Sequence, residues 1–176
     1  MNDKRNLLRH FLAALAYRTQ KALRDAPAEF GDFRAAKEIR TPVELVRHMT
    51  SVLGYARTFF IGGRYRPEPL PSLNEEVARF HEMLEKLARH LAADTPLLEE
   101  WSEERLLQGP FSDVMTHAGQ LAMLRRLAGI PVAPENFAFA DITPERLGIE
   151  QAAPVCPDEE WAEAPAGWTP PRRDEV

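Results

Sequence analysis

Apolar residues recur at three- and four-residue steps along four stretches of this chain, the spacing of amphipathic helices. In the first stretch, from about Asp3 to Asp25, the stripe is Leu8, Phe11, Leu12, Leu15, Ala22 and Leu23. Pro27, within "APAEFGDF", marks the loop that follows. The second opens on "TPVE". Thr41 is a favourable N-cap, Pro42 suits the first helical position, and Glu44 completes a capping box. Its predicted inward face is Leu45, His48, Val52, Tyr55 and Phe59, and Gly62–Gly63 ends it. "RYRPEPLP" is too rich in proline to be helical. The third stretch begins "SLNE", with Ser72 as cap and Glu75 reaching back. Leu73, Val77, Phe80, Leu84, Leu87 and Leu91 are its stripe. The connection "ADTPLLEEWSEERLLQGP" has room for a short helix after Thr95–Pro96. The fourth stretch runs from about Phe111 to Ala128, closed by Gly129 with Pro131 beyond.

From Ile130 onward neither period is sustained, and eight of the fifteen prolines lie there. Such composition suits a segment that wraps a helical body in extended form. Phe137, Phe139, Ile142 and Leu147 are the expected pins, and the closing "PAGWTPPRRDEV" is expected to be mobile. No internal repeat and no strand pattern occur. The expectation is an all-α four-helix bundle over 1–130, with an irregular proline-rich tail over 131–176.

A chain of 176 residues is enough for one well-filled domain. The net charge of −5 argues against a nucleic-acid surface, because no excess of Lys and Arg would offset phosphate charge. The arginine pair in "LRRLAG" is more simply a partner for the last carbonyls of its helix. A single cysteine, Cys156, allows neither an intramolecular disulfide nor a cysteine-based zinc site. That fits a reducing cytoplasm, the expected location. The N-terminus reads as an amphipathic helix, since Arg18 and Lys21 close its apolar run without a cleavage site. No stretch approaches the ~20 apolar residues of a membrane span.

The chemistry lies on the inner faces. Val114, His117, Leu121, Leu124 and Ala128 share one side of the fourth helix, with His117 near its centre. Asp113 precedes it by one turn, and Gln120 borders it. His48 faces inward from the second helix. Burying imidazoles and a carboxylate without partners costs several kcal/mol, so these groups either satisfy one another or bind a metal. Asp and His at i, i+4 reach one ion from a single helix. Adding His48 gives two histidines and a carboxylate with open positions, suited to Fe(II), Mn(II), Ni(II) or Zn(II). The same spacing suits a metal-free hydrogen bond between Asp113 and His117. His81 borders Phe80 at the edge of its stripe, and His10 and His90 read as surface residues.

"THAGQLAMLRRLAGIPV" and "ENFAFADI", with "TPVELVRHMTSVLGYARTFF" upstream, resemble the DinB-like (YfiT-like) superfamily of metal-dependent four-helix proteins. The resemblance covers helices two and four and the start of the tail. It implies an up-down-down-up bundle, often a homodimer, with a divalent metal held by one histidine on helix two and an HxxxH-type pair on helix four. Carried onto this chain, those positions are His48, Asp113 and His117, with aspartate where the commoner pattern has histidine. Three arrangements follow: Asp113 as a harder ligand, Asp113 orienting His117 beside a weakened or lost site, or Asp141 folding back to supply the ligand. Gln120 is placed to hydrogen-bond a metal-bound water, and Tyr55 to aim its hydroxyl into the same cavity. The activity implied is that of a metal-dependent enzyme acting on a small molecule. Its metal would activate a thiol such as mycothiol, bacillithiol or glutathione for transfer or isomerisation, or water for hydrolysis. No catalytic side chain is singled out. The alternative is a non-catalytic bundle that binds a small ligand or a protein, with a vestigial or structural metal site. DNA binding is not expected, despite the family's name.

Overall fold

The computed structural model describes residues 3–154, 161, 162, 164, 166 and 167. Cys156 and most of "PAGWTPPRRDEV", the part expected to be mobile, lie outside the described residues. Five α-helices make up the body: α1 (Asp3–Leu23), α2 (Pro42–Ile61), α3 (Leu73–Ala92), α4 (Glu103–Leu106) and α5 (Ser112–Leu127). Short 3-10 turns lie at Ala28–Asp32 and Phe137–Phe139, and the described residues include no β-strand.

Helix starts follow their capping chemistry. The Thr41 side chain accepts from the Glu44 amide at 3.3 Å, and the Glu44 carboxylate accepts from the Thr41 amide at 2.8 Å. At α3 the Ser72 hydroxyl accepts from the Glu75 amide, but the Glu75 carboxylate returns to the hydroxyl rather than to the backbone. Ser102 caps α4 through the Arg105 amide.

The fourth helix begins earlier than its apolar pattern predicts. Pro110 lacks an N–H and its ring crowds the carbonyl one turn back, which ordinarily breaks a helix. Here the turn Leu107–Phe111 widens to π geometry, so α4 and α5 form one helical run around the proline. The Ser112 amide donates to the Leu107 carbonyl across the widened turn, and the Ser112 hydroxyl donates to the same oxygen at 2.6 Å.

End-to-end contacts fix the helix directions. Arg5 near the start of α1 donates to Glu103 at 2.9 Å, while Arg125 near the end of α5 donates to the Arg24 carbonyl. α1 and α5 are therefore parallel. Arg47 meets Glu76 near the starts of α2 and α3, and Phe60 stacks on His90 near their ends, so these two are parallel as well. Arg5 also donates to the Thr95 carbonyl just past α3, which sets α3 against α1. The order is up-down-down-up, with α1, α3, α2 and α5 neighbours around a ring. Tyr17, Phe59, Phe80, Phe111, Leu12, Met49 and Leu84 fill the centre.

Parallel α2 and α3 require the linker 62–72 to return the length of the bundle. A twenty-residue helix is about 30 Å long, and eleven extended residues reach about 36 Å. Little slack remains, and proline stiffness suits the task. The strap is seated at two points. The Tyr65 ring lies over Gly54 of α2, where an added Cβ would stand 1.9 Å from Cδ1. Further along, the Leu70 amide donates to the buried Glu76 carboxylate at 2.9 Å. Gly54→Ala is accordingly expected to destabilise the protein by about 1–2 kcal/mol. A gain of about 1 kcal/mol in helix propensity is outweighed by overpacking against the ring. Thermal melts of the two proteins test this, and an alanine variant at least as stable as the parent would contradict it.

The tail crosses α1 and α3. Lys21 donates to the Ala133 carbonyl, Tyr17 to Glu135, and Arg24 to the Ala152 carbonyl. Leu147 is buried and Ile142 packs against the core, as expected of pins. Phe137 meets the Tyr17 ring edge-on. Phe139 is 63% exposed and pins nothing, because the 3-10 turn places it on the outer side from Phe137.

Candidate metal centre

The apolar stripe of α2 is rotated from the predicted one. Leu45, Val46, Met49, Leu53, Ala56 and Phe60 enter the core, and only Leu45 and Phe59 of the predicted face are buried with them. His48 lies about 100° round the helix from Met49, on the flank toward α5. It is therefore half-buried rather than central. On α5 the predicted face holds: Val114, His117, Leu121 and Leu124 are buried, joined by Ala118 and Arg125. The π-turn sits immediately before Asp113 and so sets the rotation at which Asp113 and His117 meet α2.

At that seam the three residues converge. The His48 and His117 rings meet nearly edge to face, centroids 4.8 Å apart at 78°. His117 Nε2 lies 3.3 Å from Asp113 Oδ1. One ligand atom from each of His48, Asp113 and His117 falls within 4.8 Å of the others. Burial runs in a gradient across the cluster: His117 is 8% exposed, His48 intermediate and Asp113 exposed. One side of the site is thus closed by the core and the other open to solvent.

His117 Nδ1 is 2.8 Å from Gln120 Oε1, so in this arrangement Nδ1 carries the proton and donates. In a neutral ring Nε2 then presents a lone pair toward a carboxylate oxygen. Two acceptors at that separation repel unless a proton or a metal cation lies between them. Burial lowers the pKa of His48, aided by the charges of Arg40 and His117 and opposed by Asp113. His48 is thereby held toward the neutral form that a metal ligand requires.

Of the remaining predicted residues only Gln120 lies at the cluster. Gln120 holds His117 and has no need of a bound water to explain its position. Tyr55 is 50% exposed and packs edge-on against Phe59 and Trp101, two turns along α2 from His48. Its ring is part of an aromatic plug at the far end of the seam. Asp141 does not join the cluster, and its carboxylate accepts from Arg146 at 2.8 Å. His81 is fully in the core rather than at its edge, donating from Nδ1 to the Leu147 carbonyl at 2.7 Å. His10 is exposed as expected, and His90 is half-covered by Phe60. Arg40 was not foreseen as part of this environment. It stands one residue before the Thr41 cap, a position with no helical pattern to mark it.

No helix among the described residues is long and apolar enough to cross a membrane. Comparison with protein-family models, curated proteins and solved structures yields no match, so the likeness to DinB-like proteins rests on the quoted residues alone.

Proposed function

We propose that His48, Asp113 and His117 hold a divalent transition metal, and that the chain is a metal-dependent enzyme acting on a small molecule. The carrying observation is the His117 arrangement: Nδ1 engaged by Gln120 and Nε2 turned to the Asp113 carboxylate. The donor set fits such an ion. Two ligands at about 2.1 Å in tetrahedral geometry stand about 3.4 Å apart, close to the 3.3 Å between Nε2 and Oδ1. The wider separations in the cluster close by rotation of the half-exposed His48 or the exposed Asp113 side chain. Two imidazoles and a carboxylate suit Zn, Ni, Fe or Mn.

When bound, a metal here would lower the pKa of a thiol or water at its open face, supplying a nucleophile at neutral pH. The chain's own groups prepare that face. Gln120 fixes the His117 tautomer, Asp113 offsets part of the ion's charge, and the solvent side admits a thiol cofactor or substrate. Thiol-dependent transfer or isomerisation is the reaction class that the DinB-like resemblance favours, with hydrolysis as the variant that uses water. The single cysteine suits a reducing cytoplasm.

A metal-free reading needs only a proton on Nε2 donated to Asp113, either on a doubly protonated ring with Gln120 as it stands or on a neutral ring with the Gln120 amide turned to donate to Nδ1. The cluster would then be a structural pair in a non-catalytic binding bundle. Elemental analysis of untagged protein purified without chelator separates the two readings. About one equivalent of transition metal supports the enzyme. No metal, and none taken up from Zn, Ni, Mn or Fe(II), sinks it. Gln120→Leu is expected to weaken metal affinity about 10- to 100-fold by freeing the ring that Gln120 orients, read by competition with a chromogenic chelator. An unchanged affinity would remove Gln120 from the site.

A further inference from the structure

The start of α2 brings a cation to the metal centre that the ligand set does not use. Arg40 stands immediately before the Thr41 cap, two turns ahead of His48, and its charge acts on that imidazole. Its backbone is anchored on both sides. The Ile39 amide donates to the Ala36 carbonyl at 3.2 Å, and the Ile39 carbonyl accepts from Arg34 at 2.7 Å. Thr41, buried, is locked into its capping box with Glu44. The Arg40 side chain is exposed and makes no hydrogen bond or ion pair among the described residues. The carboxylates of this neighbourhood are engaged elsewhere. Glu44 accepts from the Thr41 amide and pairs with Arg34 at 3.2 Å, while Asp113 lies against His117. A fixed backbone carrying a free guanidinium is the arrangement of a binding group held ready by its supporting residues.

Charge then selects the ligand. With a divalent ion held by one carboxylate and two neutral imidazoles the centre carries +1, and Arg40 adds a second positive charge beside it. In a chain of net charge −5 this is a local reversal of sign. A single unpaired guanidinium matches one planar carboxylate, which it holds through two parallel N–H donors. The α2 backbone rises about 10 Å between Thr41 and His48, and the arginine stem covers part of that span. The carboxylate therefore belongs a few bonds away from the group that meets the ion.

We propose, on the metal-centre reading and dependent on it, that Arg40 sets the specificity of the site by binding a carboxylate of the small molecule whose thiol or other donor meets the ion. Arg40 binds and orients; it is not a metal ligand.

The test uses the full-length protein loaded with Co(II), which accepts the same nitrogen and oxygen donors as Zn(II) and changes its visible spectrum when a thiolate joins them. Three short thiols are titrated: 3-mercaptopropionate, 2-mercaptoethanol and cysteamine, one anionic, one neutral and one cationic. Their thiol acidities differ, so each probe is compared between parent and variant. Arg40→Gln is expected to weaken 3-mercaptopropionate about tenfold and to leave 2-mercaptoethanol within about twofold. Arg40→Lys should recover part of the loss, and the difference between parent and Arg40→Gln should shrink at about 1 M salt. Cobalt content and the melting temperature of the metal-free protein should not change, because the side chain holds nothing in the fold. Protein that takes up no Co(II) overturns the metal-centre reading and this assignment with it. Protein that takes up Co(II) but binds 3-mercaptopropionate equally well in parent and Arg40→Gln overturns the role of Arg40 alone. So does cobalt-loaded protein that shows no binding of 3-mercaptopropionate up to about 10 mM.

Discussion

His117→Ala is expected to lower bound metal from about one equivalent to less than a tenth, with affinity falling at least about 100-fold. The residue is the only member of the cluster anchored from both sides, by the core around Val114 and Leu121 and by Gln120. Removing it leaves His48 and Asp113 on different helices, one half-buried and one exposed, with nothing to bring them to a common point. The same variant supplies a reading apart from metal content. A ligand that binds only the folded protein stabilises it by about 2.7 kcal/mol at a hundred times its dissociation constant. The parent melting temperature should therefore rise with added metal, and that of His117→Ala should not. Asp113→His introduces the residue found at this position in the commoner DinB-like pattern that the sequence resembles, and is expected to keep the metal and raise affinity for the softer ions. A His117→Ala protein that retains both its metal and its thermal response would exclude the three-ligand site.

The helices were legible where local chemistry decides them. Thr41 with Pro42 and Glu44, and Ser72 with Glu75, are complete signals within four residues, and both starts fall where those residues put them. The site was legible for a related reason: Asp113 and His117 share one helix, where a spacing of four guarantees proximity. What failed depended on neighbours. His48, Val52 and Tyr55 fit a helical stripe as well as Met49, Leu53 and Ala56 do. Only packing against α3 selects the second set and rotates Tyr55 out to Trp101. Pro110 signals a break, and the π-turn that absorbs it depends on the Ser112 hydroxyl and on the core holding both sides of the turn. Phe139 and Asp141 belong to the tail, whose path is fixed by single contacts to α1 and α3 rather than by any period. Tyr17 and Glu135, 118 positions apart and hydrogen-bonded, carry no joint signal in the sequence at all.

Glu76→Gln is expected to destabilise the protein by about 3 kcal/mol at neutral pH, the low end for removing one partner of a buried ion pair. The Glu76 side chain is wholly buried, whereas those of Arg47 and Arg79 keep partial solvent contact. The arginines can therefore recover some hydration, which keeps the cost from the upper end. Burial alone would push the Glu76 carboxyl up. The Leu70 amide and the two arginines outweigh it and hold the pKa below the ordinary value of 4.5. A depressed folded pKa fixes the sign of the pH dependence. The stabilisation is full at neutral pH, begins to fall as the pH drops to the unfolded-state value, and is lost below the folded one. Urea melts of parent and variant should differ most near neutrality and converge in acid. A difference that stays constant with pH would show that the carboxylate's charge is not what matters. The loss should also be local before it is global. Glu76 receives the Leu70 amide, and Arg79 and Arg47 hold the Glu68 and Leu70 carbonyls, so one carboxylate organises the last third of the strap. Amide exchange in the variant should therefore quicken first around residue 70, while the α2–α3 core exchanges only with overall unfolding. Since the strap is what allows α2 to run parallel to α3, its anchor also holds the end of α2 from which His48 reaches α5.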